Sequence, residues 1–447
     1  MTDLFAARLT MAFSLGFHII FACIGMAMPF FMTAAHRKWL KTGDDDAYRL
    51  TKLWMRGTAI FFATGAVSGT ALSFELGLLW PNFMKHAGPI IGMPFSLEGA
   101  AFFVEAIALG IYMYGWGKIS AKIHWMTGLV VGFAGVSSGI LVVSANGWMN
   151  SPTGFDWKDG AAYNIDPIAA LFNPAWASQS IHMTVGAFQA VSFAVVGIHA
   201  FLLLRGKEQS IHRLAIRTLM PFLIVSSLLQ PMIGHWAAQD VAQRQPLKLA
   251  AMEAHFHTEK QASLIIGGIP DTKEKKVDYA IKIPGALSFL AFNDPDSEVQ
   301  GLEDFPEENW PPVPVVHFAF QIMVGLGTAM AALAVIGGYG MFFAKTWFWN
   351  HRFLAIWVLM APAGFAAIEA GWVVTEVGRQ PWIIYEIMKT SEALSPVTGQ
   401  VWHLLTFVLL YGGIGLATVM MWWNQVSQSH QIQTPSNTLS KWMEGTS

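Results

Sequence analysis

An all-α integral membrane protein with about nine transmembrane helices is the fold class this sequence predicts, on three observations. Its 447 residues are 54% hydrophobic and only 13% charged, with a mean hydropathy of +0.43, far more apolar than an ordinary globular domain. Stretches apolar and long enough to cross roughly 30 Å of hydrocarbon recur nine times along it. Nineteen Trp and forty-one Gly suit the class, because Trp anchors at the membrane interface and Gly lets helices approach closely. The formal net charge of −2 points to no nucleic-acid partner. Cys23, the one cysteine, excludes an internal disulfide and any cysteine-ligated cluster or zinc site.

The first span, 8–35, lies in a segment that begins "MTDLFAARLTMAFSLGFHII", which lacks a basic start and stays apolar too long for a cleavable leader. Helices two to six are expected at 54–80, 92–116, 123–149, 178–205 and 214–236, and helices seven to nine at 315–343, 352–377 and 399–424. The connections "HRKWLKTGDDDAYRLTK", "GKISAK" and "RGKEQSIHRLAIR" are rich in Lys and Arg, whereas "WPNFMKHAGPIIG" is poor. The positive-inside rule then puts the N-terminus outside and the C-terminus in the cytoplasm. Residues 1–236 thus hold six helices, 237–312 form a long outer loop, 313–424 hold three more helices, and 425–447 make a polar, flexible tail. A loop this long in a compact protein is expected to be ordered and functional. Its start, "QDVAQRQPLKLAAMEAHFHTEKQ", can form a helix with Lys248 and Glu253 near the surface, and "DYAIKIPGALSFLAFNDPDSEV" has apolar runs able to rest on the membrane.

An ionisable side chain inside the bilayer is costly unless it meets protein, water or a cofactor, so the few present are the functional candidates. His18 is about three turns into helix one, His182 about one turn into helix five, and Glu369 about two turns from the outer end of helix eight. Glu98 and Glu105, on helix three, are seven apart and share a face, with Glu105 deeper towards the cytoplasm, which suits a proton relay. Most of this set falls in the outer half of the membrane. Ser138 in "GVSSGIL" is ordinarily helix glue, Met323 in "FAFQIMVGLG" is ordinarily packing, and Arg379 serves equally as an interfacial anchor. His199 and His403 read as helix-to-helix hydrogen-bonding residues. His and Met are the usual axial ligands of haem, and helix bundles hold cofactors between facing helices, so haem binding is consistent with the set. No helix carries the close-spaced histidines of a copper site, which disfavours a haem-copper oxidase.

Five motifs, "LEGAAFFVEA" (97–106), "SANGWMNSP" (144–152), "KLAAMEA" (248–254), "FAFQIMVG" (318–325) and "EAGWVVTEVGRQPW" (369–382), occur in an order and spacing that resemble the large subunit (subunit I) of cytochrome bd-type quinol oxidases. The resemblance covers essentially the whole chain, and five motifs in register on nine spans are highly specific. It implies a terminal respiratory oxidase, a quinol:oxygen oxidoreductase of the bacterial inner (plasma) membrane. Such an enzyme oxidises quinol at the outer face, passes electrons through three haems and reduces oxygen to water with cytoplasmic protons, separating charge without pumping. The resemblance further implies that His182 and Met323 are the axial ligands of a low-spin haem b. His18 and Glu369 then look like protein ligands of a high-spin haem b and a haem d, or of a third haem b in its place. Glu98 resembles the family's haem-site acid, Glu105 and Ser138 its proton path, and Lys248 and Glu253 its quinol contacts, in a loop of the short form. Arg379 would neutralise a haem propionate or a nearby acid. Implied partners are subunit II and a small single-span subunit.

Two positions depart from the family pattern. Gln321 stands where an arginine is common, and a neutral amide stabilises haem propionates less than a guanidinium does. Phe365 stands where a tryptophan is often found between the haems, so aromatic contact is kept and the indole N–H is lost. Both point to a divergent branch, of the cyanide-insensitive type. Two rivals compete with the oxidase: a di-haem membrane quinone oxidoreductase without oxygen reduction, and a non-enzymatic membrane carrier, for which an inverted repeat would be expected.

Overall fold

The computed structural model describes residues 1–427 except 159 and 208, so 428–447, most of the expected tail, lies outside the described residues. The chain runs through α1 (Asp3–Thr42), α2 (Asp45–Leu79), α3 (Pro81–Tyr114), α4 (Ala121–Asn150), the short α5 (Pro167–Leu171), α6 (Trp176–Leu204) and α7 (Gln209–Arg244). It continues through two short helices, α8 (Pro246–Glu253) and α9 (Ala286–Phe292), then α10 (Val313–Phe343), α11 (Lys345–Phe348), α12 (His351–Met360), α13 (Ala363–Val377), α14 (Thr390–Ala393) and α15 (Gln400–Ser427). Among the described residues, nine candidate membrane spans result, with α12 and α13 together forming the eighth.

The helices form because their sequences are continuously apolar and their ends are marked. Asp44 caps the first amides of α2, Ser120 those of α4 and Asn350 those of α12, and Gly43 closes α1 in the left-handed region at φ 66°. α1, at 40 residues, is about 60 Å long, twice the hydrocarbon thickness, so its ends stand in the interface and beyond. α3 starts at Pro81, ahead of the expected 92, with the proline at its first turn where no N–H is needed. The eighth span is interrupted at Pro362, which has no N–H to donate.

Contacts group the spans into two bundles. α1 to α4 form one, with α15 against α1 and α2, while α6, α7, α10 and the α12–α13 pair form the other; α1 and α4 join them through α6. Because successive spans alternate in direction, Asp3, Asn150, Trp176, Arg244, Val313, Val377 and Gln400 stand at one end, the loop end. The Asp3 carboxylate accepts from the Gly399 and Gln400 amides, the Tyr385 amide donates to Met149 O, and Gln245 Nε2 to Asn150 O, which ties these connections together. The opposite, basic end carries the Lys- and Arg-rich connections.

The long loop carries short helices and strands and begins later than expected. α7 continues to Arg244 and stops because Gln245 precedes Pro246, where helical geometry is disfavoured. Beyond α8 the loop is built of antiparallel pairs. β3 (Glu259–Lys260) pairs with β8 (Glu298–Val299), β4 (Leu264–Ile266) with β7 (Ile281–Ile283), and β5 (Ile269–Asp271) with β6 (Lys276–Asp278). Ile269, Ile281, Ile283 and Phe289 are exposed on it. One expectation is overturned: Lys248 and Glu253 are not near the surface but 4% and 3% exposed, because α8 inserts between α7 and α10.

Candidate functional site

Four of the predicted iron ligands face glycines on neighbouring helices. A methyl group built on Gly69 of α2 would lie 2.9 Å from His18 Cε1, and one on Gly16 of α1 would lie 3.0 Å from Glu369 Oε2. Gly371 of α13 stands in the same way 3.0 Å from Met323 Sδ, and Gly234 of α7 3.4 Å from His182 Cε1. Where haem ligands are expected, each opposing helix therefore withholds a side chain. His182 and Met323 belong to one bundle, on α6 and α10, and both of these helices pack against α7 and α13. His18 and Glu369 approach α1 differently: Gly16 and His18 are two residues apart, about 200° around the helix, so Glu369 lies on the side away from His18.

The second contacts of these ligands suit metal binding. His18 Nδ1 is 3.0 Å from Ser68 Oγ, whose own proton goes to the Thr64 carbonyl at 2.9 Å. With that hydroxyl proton on Thr64 O, Ser68 is free to accept from an Nδ1–H, the tautomer in which Nε2 is bare for iron. Gln230 Nε2 approaches the His182 ring nitrogens at 3.3 and 3.4 Å. Among the described residues, Glu369 Oε1 and the Arg379 Nε and Nη1 atoms are buried with no hydrogen-bond partner. A buried guanidinium with two unspent donors fits an anionic group such as a propionate. The residues present fit haem.

The expected relay is partly connected. Ser138 Oγ on α4 donates to Glu98 Oε1 at 3.0 Å, while Glu105 is buried against Gly25 of α1 and Gly135 of α4 with no direct bond to Glu98. Phe365 packs against the apolar core. His199 bonds between helices as expected, taking the Trp54 indole N–H at 3.2 Å and meeting His212 at 2.9 Å, whereas His403 meets Gln400 at 2.8 Å within its own helix α15.

At the loop end, a buried polar network joins three motifs. Lys248 Nζ donates to Asn150 Oδ1 at 2.6 Å, Asn150 Nδ2 donates to Asn146 O at 3.0 Å, and Asn146 Nδ2 donates to Glu376 Oε1. Glu376 Oε2 receives Arg379 Nη2 at 2.6 Å. Burial pushes the Lys248 ammonium well below its ordinary range, with the Arg379 charge adding to the effect and Glu376 opposing it. Burial pushes the Glu253 carboxyl up to about 8, opposed by a hydrogen bond from the Ile265 amide. An amine that loses its proton easily and a carboxyl that holds one near neutrality suit proton exchange with a bound hydroxyl compound. Gln321 is turned to the loop instead of a ligand pocket: its Oε1 accepts from the Gly267 amide at 3.0 Å and its Nε2 donates to Ile265 O at 2.9 Å. A groove of about 590 Å³ at the basic end, lined by Phe30, Arg37, Lys41, Trp125 and Phe222, is remote from all of these.

A profile of the cytochrome bd terminal oxidase subunit I family matches residues 6–430. The chain belongs to that family. It is 35% identical, over 94% of its length and 95% of the relative's, to a protein of Bacillus subtilis (strain 168) named as a cytochrome bd menaquinol oxidase subunit I. It is 29% identical, over 96% of its length and 94% of the relative's, to the cytochrome bd ubiquinol oxidase subunit 1 of the same organism. Among solved structures, the bd oxidase of Geobacillus thermodenitrificans aligns with a TM-score of 0.91 at 36% identity, covering 96% of this chain and 99% of that one. The all-α, nine-span fold agrees. As a cytochrome bd subunit I, the chain is part of a membrane-bound quinol oxidase with haem as cofactor and subunit II as partner.

Several participants were not legible as such in the sequence. Glu376 lay inside a quoted motif without a role, and Asn146 and Asn150 lay in another. Glu75, fully buried on α2, was overlooked although an acid in "SFELGLLW" is the same signal that singled out Glu98. Gln380 accepts from Thr390 Oγ1 at 2.9 Å, and Trp382 opens β9 (Trp382–Ile384), which pairs with β10 (Met388–Lys389).

Proposed function

We propose that this chain is the haem-bearing, quinol-oxidising subunit of a terminal respiratory oxidase, with its loop end outside and its basic end in the cytoplasm. His182 and Met323 hold a low-spin haem b; His18 and Glu369 hold a high-spin haem b and a haem d or third haem b. When bound, these groups carry the electrons of quinol to oxygen. The chain's own residues bind quinol and handle protons. Lys248 and Glu253 contact the quinol hydroxyls beneath the loop, with the easily deprotonated Lys248 amine as the base and Glu253 exchanging a proton beside it, and the protons leave on the outer side. Glu105 and Glu98, the latter held by Ser138, bring protons from the cytoplasm. Protons released outside and consumed from inside separate charge without a pump. Subunit II covers the exposed apolar faces of α2, α3 and α15, where Phe103, Ile107 and Leu409 stand bare, and a small single-span subunit completes the complex.

The observation that carries this reading is the placement of His18, His182, Met323 and Glu369 each against a glycine of another helix, with Arg379 buried and holding two unused donors. A carrier needs no such set, and a di-haem electron-transfer reductase needs no high-spin haem open to oxygen. Reduced-minus-oxidised spectra of the purified complex discriminate: a high-spin, CO-reactive or chlorin band is expected. A low-spin b signal alone means the reductase, and no haem band means the carrier.

A further inference from the structure

One buried acid stands outside every role given above. Glu75 on α2 has no exposed surface, and among the described residues no Lys, Arg or His is ion-paired with it. Its Oε1 receives both neighbouring hydroxyls, Ser14 Oγ at 2.6 Å and Tyr411 OH at 3.3 Å, while Oε2 is sealed from solvent with no partner. The Tyr411 hydroxyl has one proton and two acceptors at the same 3.3 Å distance, Glu75 Oε1 and the Ser68 carbonyl. Ser68 in turn holds His18 Nδ1 at 3.0 Å. Glu75 and His18 are thus linked through Tyr411 and Ser68 across α15, α2 and α1, Tyr411 meeting the Ser68 carbonyl and His18 its hydroxyl.

We propose that Glu75 is the charge-compensating acid of the His18 iron site, ionised while that iron is oxidised and protonated when it is reduced. The inference rests on the haem reading above. A carboxylate with two hydroxyl donors and no cation is costly in a membrane interior, so it stays ionised only while positive charge stands nearby. An electron reaching the iron from quinol would remove that charge, and a proton bound by the carboxylate would restore it. Tyr411 relays the change: it donates to the ionised carboxylate and turns to the Ser68 carbonyl when the acid is neutral. Of the other titratable groups nearby, Arg8 lies on α1 six residues before Ser14, about 120° around the helix from it. Glu369 is across α1 at Gly16, Lys85 is exposed on α3, His86 lies against Trp157, and Asp3 and His403 are bonded at the head of α15. Glu75 acts on the iron through its neighbours and is a positioning residue.

The test is a spectroelectrochemical titration of the purified, haem-loaded complex from about pH 6 to about pH 9, with His18→Ala identifying the component lost from that site. In the wild type, the potential of the His18 component is expected to fall as pH rises. Glu75→Gln should make it independent of pH, with haem content and the low-spin potential unchanged. A pH dependence that survives in Glu75→Gln overturns the proposal, as does a wild-type potential with none. If Glu75→Gln does not assemble, Tyr411→Phe decides: losing a donor raises the proton affinity of the carboxylate, so the pH-dependent range moves upward, and an unmoved range overturns the idea. A wild-type complex without haem would overturn the haem reading instead.

Discussion

Replacing Glu253 by Gln should remove a pH dependence from the opening of the long loop. Glu253 closes α8 with 3% of its surface exposed, next to Met252, whose carbonyl receives His317 Nδ1 at 2.9 Å. In the closed loop, burial pushes its carboxyl from 4.5 up to about 8, whereas an opened loop restores the ordinary value. Between those limits the closed form keeps a proton that the open form has released. Closure therefore weakens as pH rises, by about 1.4 kcal/mol per pH unit, and levels off above about pH 8. From about pH 6 to about pH 8 the loss is about 2.3 kcal/mol, roughly fiftyfold in the opening equilibrium, because the carboxyl is already half titrated at the upper limit. Gln has no such proton, so the opening of the variant should be level across that window. Hydrogen exchange of the 246–267 amides, corrected for the intrinsic pH dependence of exchange, measures it. A variant that keeps the wild-type slope, or a wild type without one, refutes the reasoning.

Three further predictions concern the transmembrane site and the loop. Glu98→Gln and Glu105→Gln should slow oxygen consumption while leaving the haem spectrum intact, and full turnover in both with all haems bound would remove the relay. His182→Ala and Met323→Leu should each abolish the low-spin band, and Gly371→Leu should do the same by filling the space before Met323 Sδ; a normal spectrum in Gly371→Leu would show that no macrocycle edge occupies it. Gln321→Ala removes two hydrogen bonds to the 265–267 backbone, about 1–3 kcal/mol of loop closure, seen as faster limited proteolysis of the loop with the haem spectrum retained.

The span count was legible because continuous hydropathy survives in single sequences, and lipid tolerates no competing backbone structure. The boundaries were less so: "AAQDVAQR" is polar enough to resemble a loop, yet it continues α7 to Arg244 because tertiary contacts, not lipid, cover it. Burial of Lys248 and Glu253 was illegible for a related reason. Their partners, Asn150 and the Ile265 amide, come from segments far apart in sequence, and charge read locally suggests solvent. The polar cluster after Glu369 gained its explanation only in three dimensions, where Glu376 and Arg379 meet Asn146 of α4 and Gln380 meets Thr390.

Gln321 shows how one departure from the family pattern changes the coupling between loop and haem. A guanidinium has no acceptor, so an arginine at this position could not take the Gly267 N–H; an amide both accepts from Gly267 and donates to Ile265 O. One turn earlier, His317 reaches Met252 O at 2.9 Å and Gly267 O at 3.1 Å with its two ring nitrogens. The first turns of α10 thus clamp both α8, which carries Lys248 and Glu253, and the strand end at Gly267. Met323 follows two residues after Gln321 on the same helix, so the proposed quinol contacts and a proposed iron ligand are fixed to one rigid element. On the proposed haem reading, the cation that an arginine would have offered to a propionate falls to Arg379, whose Nε and Nη1 lie buried without a partner at the same end of the bundle.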